Sequence, residues 1–110
     1  MNTSQLHPIA RYNARAEVAK ALAHPTRLLM LDALTHGELC VCELTELASV
    51  DQSTVSKHLA ILKNAGIVAV RKERTKTYYR LRICCLSSLW DCIESVLKDN
   101  LKSQQAAIGS

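Results

Sequence analysis

The chain has 110 residues, 48% of them hydrophobic and 22% charged, with three glycines, two prolines and a formal net charge of +4. That length suits one small domain, and the hydrophobic content with so little Gly and Pro excludes a disordered or collagen-like chain. No apolar run approaches the roughly 18 residues that span a bilayer, and residues 1–17 lack the apolar core of a signal peptide, so a cytoplasmic location with no membrane partner is expected.

A single domain over residues 1–110 is expected, with 1–10 and 103–110 as flexible tails. From Arg11 to Ala23, Ala14, Val18, Ala21 and Leu22 recur at helical spacing. A second helix is predicted from Pro25, because proline suits the first helical position. It points Leu28, Leu29, Leu31 and Leu34 inward and stops at Gly37. Leu39 to Cys42 leads into a third helix ending near Ala48. After the turn Ser49 to Gln52 a fourth begins, with Ser53 as its N-cap. Val55, Leu59 and Leu62 form its buried stripe, which leaves Thr54, Ser56, Lys57, His58 and Lys63 outward until Gly66 ends the helix.

The period then changes. Ile67 to Arg71 and Thr77 to Ile83 are rich in β-branched and aromatic residues, with Lys72 to Lys76 as a polar hairpin tip between them. Leu86 to Leu101 returns to helical period and carries Leu86, Leu89, Trp90, Ile93, Val96, Leu97 and Leu101 on one broad face. So small a domain cannot cover that face, so a second copy is expected to pair with it beside the first helix. The fold class is mainly α with a small β-hairpin (α+β): a winged helix-turn-helix of five helices and a two-stranded wing, dimerising through its terminal helices.

Charge is unevenly placed along this pattern. Asp32 to Asp51 contains five acidic residues and no Lys or Arg, whereas Ser53 to Arg82 holds eight basic residues against Glu73 alone, a net +7. A basic stretch over a helix-turn-helix and its wing suits double-stranded DNA phosphates. Base edges are read by the outward residues at the start of a recognition helix. Gln52, Ser53, Thr54, Ser56, Lys57 and His58 are the candidates. Gln52 and Ser56 suit bases, Ser53 and Thr54 suit phosphate or the helix cap, and Lys57 and Lys63 suit phosphate. Arg71, Lys72, Arg74 and Lys76 follow the backbone or enter the minor groove, and Tyr78 faces the wing surface.

Five cysteines, Cys40, Cys42, Cys84, Cys85 and Cys92, carry the other chemistry. Their odd number and the absence of export signals argue for thiols over a disulfide framework. Thiolates are soft donors, and three of them suit a trigonal As(III) or Sb(III) site. On a regular helix, residues two apart point in opposite directions, so Cys40 and Cys42 converge only if the segment is extended or the helix start is distorted. A Cys-x-Cys oxidoreductase is disfavoured, because Glu38, Glu43 and Glu46 flank the pair where a reactive thiolate wants positive charge. A winged-helix regulator sensing thiol oxidation or sulfide is the remaining alternative. His7, His24, His36 and His58 lack ligand spacing.

Ala23 to Leu28, Gly37 to Leu44, Asp51 to Leu59 and Leu62 to Ile67 resemble, in order and spacing, the successive signatures of the ArsR/SmtB family of bacterial metalloregulators. Arg71 to Glu73 with Tyr78 to Leu81 resembles its wing, and the likeness covers Ala16 to Leu101. It implies a homodimeric repressor that holds a near-palindromic operator when metal-free and releases it when a metal binds. No cofactor is held permanently. As(III) or Sb(III) is the implied inducer, with Cd(II) or Pb(II) as the alternative. In arsenic-sensing members a third cysteine stands three residues after the Cys-x-Cys pair, where this chain has Thr45. Cys84, Cys85 and Cys92 resemble a second arsenic arrangement, a vicinal pair with another cysteine near the final helix. Cadmium and lead sensors add N-terminal cysteines, and none precedes Cys40 here. The zinc sensors' last-helix histidine is also missing, because no histidine follows His58.

Overall fold

The computed structural model describes residues 5–109. Eight elements follow in order: α1 (Ile9–Leu22), α2 (Pro25–Leu34), β1 (Leu39–Cys40), α3 (Val41–Ala48), α4 (Gln52–Asn64), β2 (Val68–Glu73), β3 (Lys76–Leu81) and α5 (Leu86–Gly109). The five helices and the wing match the expected architecture. The terminal helices run longer than expected: α1 starts two residues before Arg11, and α5 runs on past Leu101 to Gly109. Of the expected tails, residues 1–4 and 110 lie outside the described residues.

Local chemistry sets the helix starts. His24 caps α2 by accepting the Thr26 amide proton on its Nδ1 (3.1 Å), with Pro25 following as the first helical residue. Cys40 caps α3 in extended conformation. Its Sγ accepts from the Glu43 amide (3.4 Å), while the Glu43 carboxylate accepts from the Cys40 amide (3.1 Å), a reciprocal capping box. The α4 cap is Asp51 instead of the expected Ser53, whose hydroxyl donates to the Asp51 carboxylate (2.8 Å) from inside the first turn. Gly66, at φ +81°, turns the chain from α4 into β2, a conformation that side-chain-bearing residues rarely adopt.

The wing is larger than two strands. Its antiparallel sheet has the order β1-β3-β2, with Leu39 opposite Tyr79 and Cys40 opposite Tyr78. The β2–β3 register pairs Val68 with Leu81 and Glu73 with Lys76, so the tip shrinks from Lys72–Lys76 to the two residues Arg74 and Thr75. Arg74 there has φ +58°.

Met30, Leu31, Leu34, Leu44, Val55, Leu59, Leu62, Ile67, Val68 and Leu86 form the core. At about 1.5–3 kcal/mol for each fully buried side chain, this cluster holds α2, α3, α4 and the sheet together. In α2 the inward set is corrected: Met30 is fully buried, whereas Leu29 is 43% exposed. In α1 only Ala21 is buried, and Val18 stands exposed. Beyond Trp90, which packs on the core, α5 leaves it, and Ile93, Val96, Leu97 and Leu101 are exposed along it.

Candidate nucleic-acid interface and thiol sites

The buried stripe Val55, Leu59 and Leu62 fixes how α4 rolls against α2 and α3. The opposite face is therefore presented outward: Gln52, Ser53, Ser56, Lys57 and Lys63 are exposed and Thr54 is half-buried. Asp51 holds the start of this face in place. Hydrogen bonds from Thr54 and Ser53 keep its carboxyl below the usual range.

His58 is half-buried, like Thr54, and makes contacts within the molecule. Its ring lies 4.3 Å from that of His24 and its Nδ1 meets Arg27 Nη1 at 3.1 Å. Arg27 also donates to the Ala21 carbonyl (2.6 Å) and the Lys20 carbonyl (3.3 Å) at the end of α1. A guanidinium from α2 thus reaches into this turn of α4 and engages the half-buried His58 within the molecule. Desolvation, followed by the neighbouring His24 and Arg27, lowers the His58 pKa.

On the wing, Lys72, Arg74 and Lys76 are exposed. Arg71 is engaged within the molecule: it meets the Glu38 carboxylate at 2.6 Å and the Glu73 carboxylate at 2.6 Å. Its guanidinium also lies 4.7 Å from the centre of the half-buried Tyr78 ring. The hydrogen bond from Arg71 is the main reason the Glu38 carboxyl sits below its ordinary pKa. Arg71, expected to follow the DNA backbone, thus also fastens the wing to the loop before β1 through Glu38, with the Tyr78 ring beneath its guanidinium.

The cysteines fall into two groups. Cys40 and Cys42 are joined as a disulfide with their Cα atoms 5.4 Å apart, where two thiols were expected. The condition for convergence is met, because Cys40 lies outside the helix in extended conformation and Cys42 in its first turn. Cys84 and Cys85 are exposed free thiols whose sulfurs are 3.5 Å apart. Cys84 beside it pushes the Cys85 thiol up, so the pair resists carrying two negative charges unless a cation shares them. Cys92 is exposed on α5, seven residues beyond Cys85 and hence about 10 Å along the axis. Among the described residues no three His, Cys, Asp or Glu side chains come together as a metal site.

A winged helix-turn-helix with these exposed faces invites comparison with known regulators. Residues 24–70 match the model of the "bacterial regulatory protein, arsR family". An uncharacterized HTH-type transcriptional regulator of Methanocaldococcus jannaschii is 46% identical over 70 residues, 63% of this chain and 79% of that protein. The chain belongs to the arsR family. An arsenic resistance transcriptional regulator of Pseudomonas putida is 48% identical over 65 residues, and the match spans 58% of this ArsR-family chain and 51% of that protein. The solution structure of a homodimeric winged helix-turn-helix DNA-binding domain from Mycobacterium bovis superposes with a TM-score of 0.72. It is 33% identical, with 86% of this chain and 88% of that one covered. Family members are transcriptional regulators and not enzymes, which removes the oxidoreductase reading.

Two features of this ArsR-family chain escaped sequence reasoning. The His24–Arg27–His58 cluster joins residues up to 34 apart in sequence, and no local spacing marks it. The Glu38–Arg71 bridge was hidden in the same way, although an acid just before Cys40 and a base in the wing were both visible as separate charges.

Proposed function

We propose that this chain is a repressor that binds a near-palindromic operator as a homodimer and leaves it when a thiophilic metalloid, As(III) or Sb(III), is taken up by Cys84 and Cys85. The observation that carries the choice of ligand is the 3.5 Å contact between the two exposed sulfurs. Trivalent arsenic and antimony are soft, and one such centre spans two sulfurs at that separation without rearrangement. Binding releases the protons that Cys84 and Cys85 share and removes the charge conflict between them.

Position gives the site its leverage. Cys84 and Cys85 occupy the link between the end of β3 and the start of α5. A ligand there acts on the wing and on the helix proposed for dimerisation at once. Cys92 supplies a third sulfur only from a second copy, because its own lies two helical turns away. In this reading Gln52 and Ser56 read bases, Ser53, Thr54, Lys57 and Lys63 hold phosphate, and Lys72, Arg74 and Lys76 follow the backbone. Cys40 and Cys42 are excluded as ligands while they are bonded to each other. The name of the Pseudomonas relative supports an arsenic class; cadmium, lead and zinc are the comparison ions.

The ligand assignment is tested by titrating the reduced chain with arsenite and following sulfur-to-arsenic charge-transfer absorption. A saturable band is expected in the wild type and in Cys42→Ser, and its loss in Cys84→Ser and Cys85→Ser. A band unchanged in both of the latter variants would refute the assignment.

A further inference from the structure

We propose that Cys40 and Cys42 form a thiol–disulfide lock on the hinge between the wing sheet and the helix-turn-helix, so that two-electron oxidation tightens DNA binding. The lock is separate from the Cys84–Cys85 site and rests only on the DNA-reading part of the proposed function. Cys40 belongs to the sheet, paired with Tyr78 of β3, and Glu38 just before it is tied to Arg71 of β2. Cys42 belongs to α3, the first helix of the helix-turn-helix. Val41 between them is the joint at which extended backbone becomes helical. A bridge across that joint fixes its dihedral angles, and the wing then moves with the helices as one body.

The joint faces the DNA-reading surface. Cys40, Val41 and Cys42 line a cleft of about 320 Å³ whose other walls are Gln52 at the start of α4 and Thr75, Lys76 and Thr77 of the wing. The width of this cleft sets the separation of the two elements that must enter neighbouring grooves together. Holding it constant before contact removes part of the ordering cost of binding.

The two sulfurs are also placed for sequential chemistry. Cys42 is exposed, whereas Cys40 is only 3% exposed. With hydrogen peroxide as oxidant, the Cys42 sulfur takes one peroxide oxygen to give a sulfenic acid and water. The Cys40 sulfur then displaces the second water as the S–S bond forms. Both sulfurs are oxidised, both peroxide oxygens are reduced, and the thiol protons leave in the two waters. The acids flanking the pair are turned elsewhere: Glu43 onto the Cys40 amide and Glu38 onto Arg71.

The test uses the full chain, reduced with dithiothreitol or oxidised with hydrogen peroxide, and a labelled duplex selected from a random-sequence pool. Peptide mapping should locate the bridge between Cys40 and Cys42, and the oxidised form should bind about fivefold more tightly. Hydrogen exchange should slow in residues 39–42 and 68–81 on oxidation. Cys42 lies at the surface, so Cys42→Ser keeps the core and should hold the reduced-form affinity in peroxide, while Cys84→Ser keeps the response. A bridge formed with unchanged affinity, unchanged exchange, or a bridge at Cys84–Cys85 with Cys40 and Cys42 left free would each overturn the lock. Binding of no duplex by either form would instead refute the DNA-reading role, and the exchange measurement decides the lock even then.

Discussion

Arg27 reaches from α2 to the end of α1 and to His58 of α4, and its position has a consequence in pH. A neutral His58 accepts the Arg27 hydrogen bond, whereas a protonated ring beside a guanidinium and a second imidazole is disfavoured. The folded-state pKa of His58 is lowered from 6.5, so below about that pH the unfolded chain takes up a proton that the fold resists. The stability gained from neutral His58 is full above this window and is lost as pH falls through it. The melting temperature should drop between pH 7.5 and 5.5, and His58→Gln should flatten that slope; an equal slope in both would refute the role of His58. Glu38 and Asp51 have lowered pKa values, so their contributions are lost only at more acidic pH. A second residue-scale prediction separates charge from conformation. Lys57→Ala and Arg74→Gly should each reduce the salt dependence of DNA binding by about one phosphate. Only Arg74→Gly should also stabilise the fold, by up to about 1 kcal/mol, because it relieves a left-handed backbone at φ +58°. Denaturant melts of the two variants check the difference.

Among the elements, the long periodic ones were legible and the short or non-local ones were not. Leu59 and Leu62 announced α4, and alternation through Tyr79 and Leu81 announced the wing strand. Strand β1 is two residues long, too short to show alternation, and it exists only because β3 arrives beside it from about 40 residues away. The same gap explains the cysteines. Their i,i+2 spacing argued against joint action on a helix, and the local signal that Cys40 stands outside α3 was Glu43 three residues on, the partner of a capping box. The exposed side of α5 carries the next prediction. Leu97, 53% exposed, lies on the stripe with Ile93 and Leu101. A charge there is harmless to a monomer and costly at a buried helix pair. Leu97→Glu should convert the chain from dimer to monomer in sedimentation equilibrium with its helical signal retained; a persistent dimer would exclude α5 as the interface.

At the scale of the molecule, shape and chemistry lead to the same account. The radius of gyration is 17.6 Å and the longest dimension 57 Å, against about 13 Å expected for a compact chain of this length. The excess comes from α5, whose 24 residues extend about 36 Å with little packed against them beyond Leu86 and Trp90. A second copy would cover that helix and set two α4 helices for successive major grooves, about 34 Å apart. No helix among the described residues is long and apolar enough to cross a membrane. The most direct test of the whole account is fluorescence anisotropy of a labelled duplex, selected with the reduced protein, during titration with arsenite. The account predicts that two chains bind each duplex, that arsenite releases them, and that Cys84→Ser binds equally well but is not released. Retention of the duplex by the wild type at saturating arsenite, or equal release of Cys84→Ser, would contradict it.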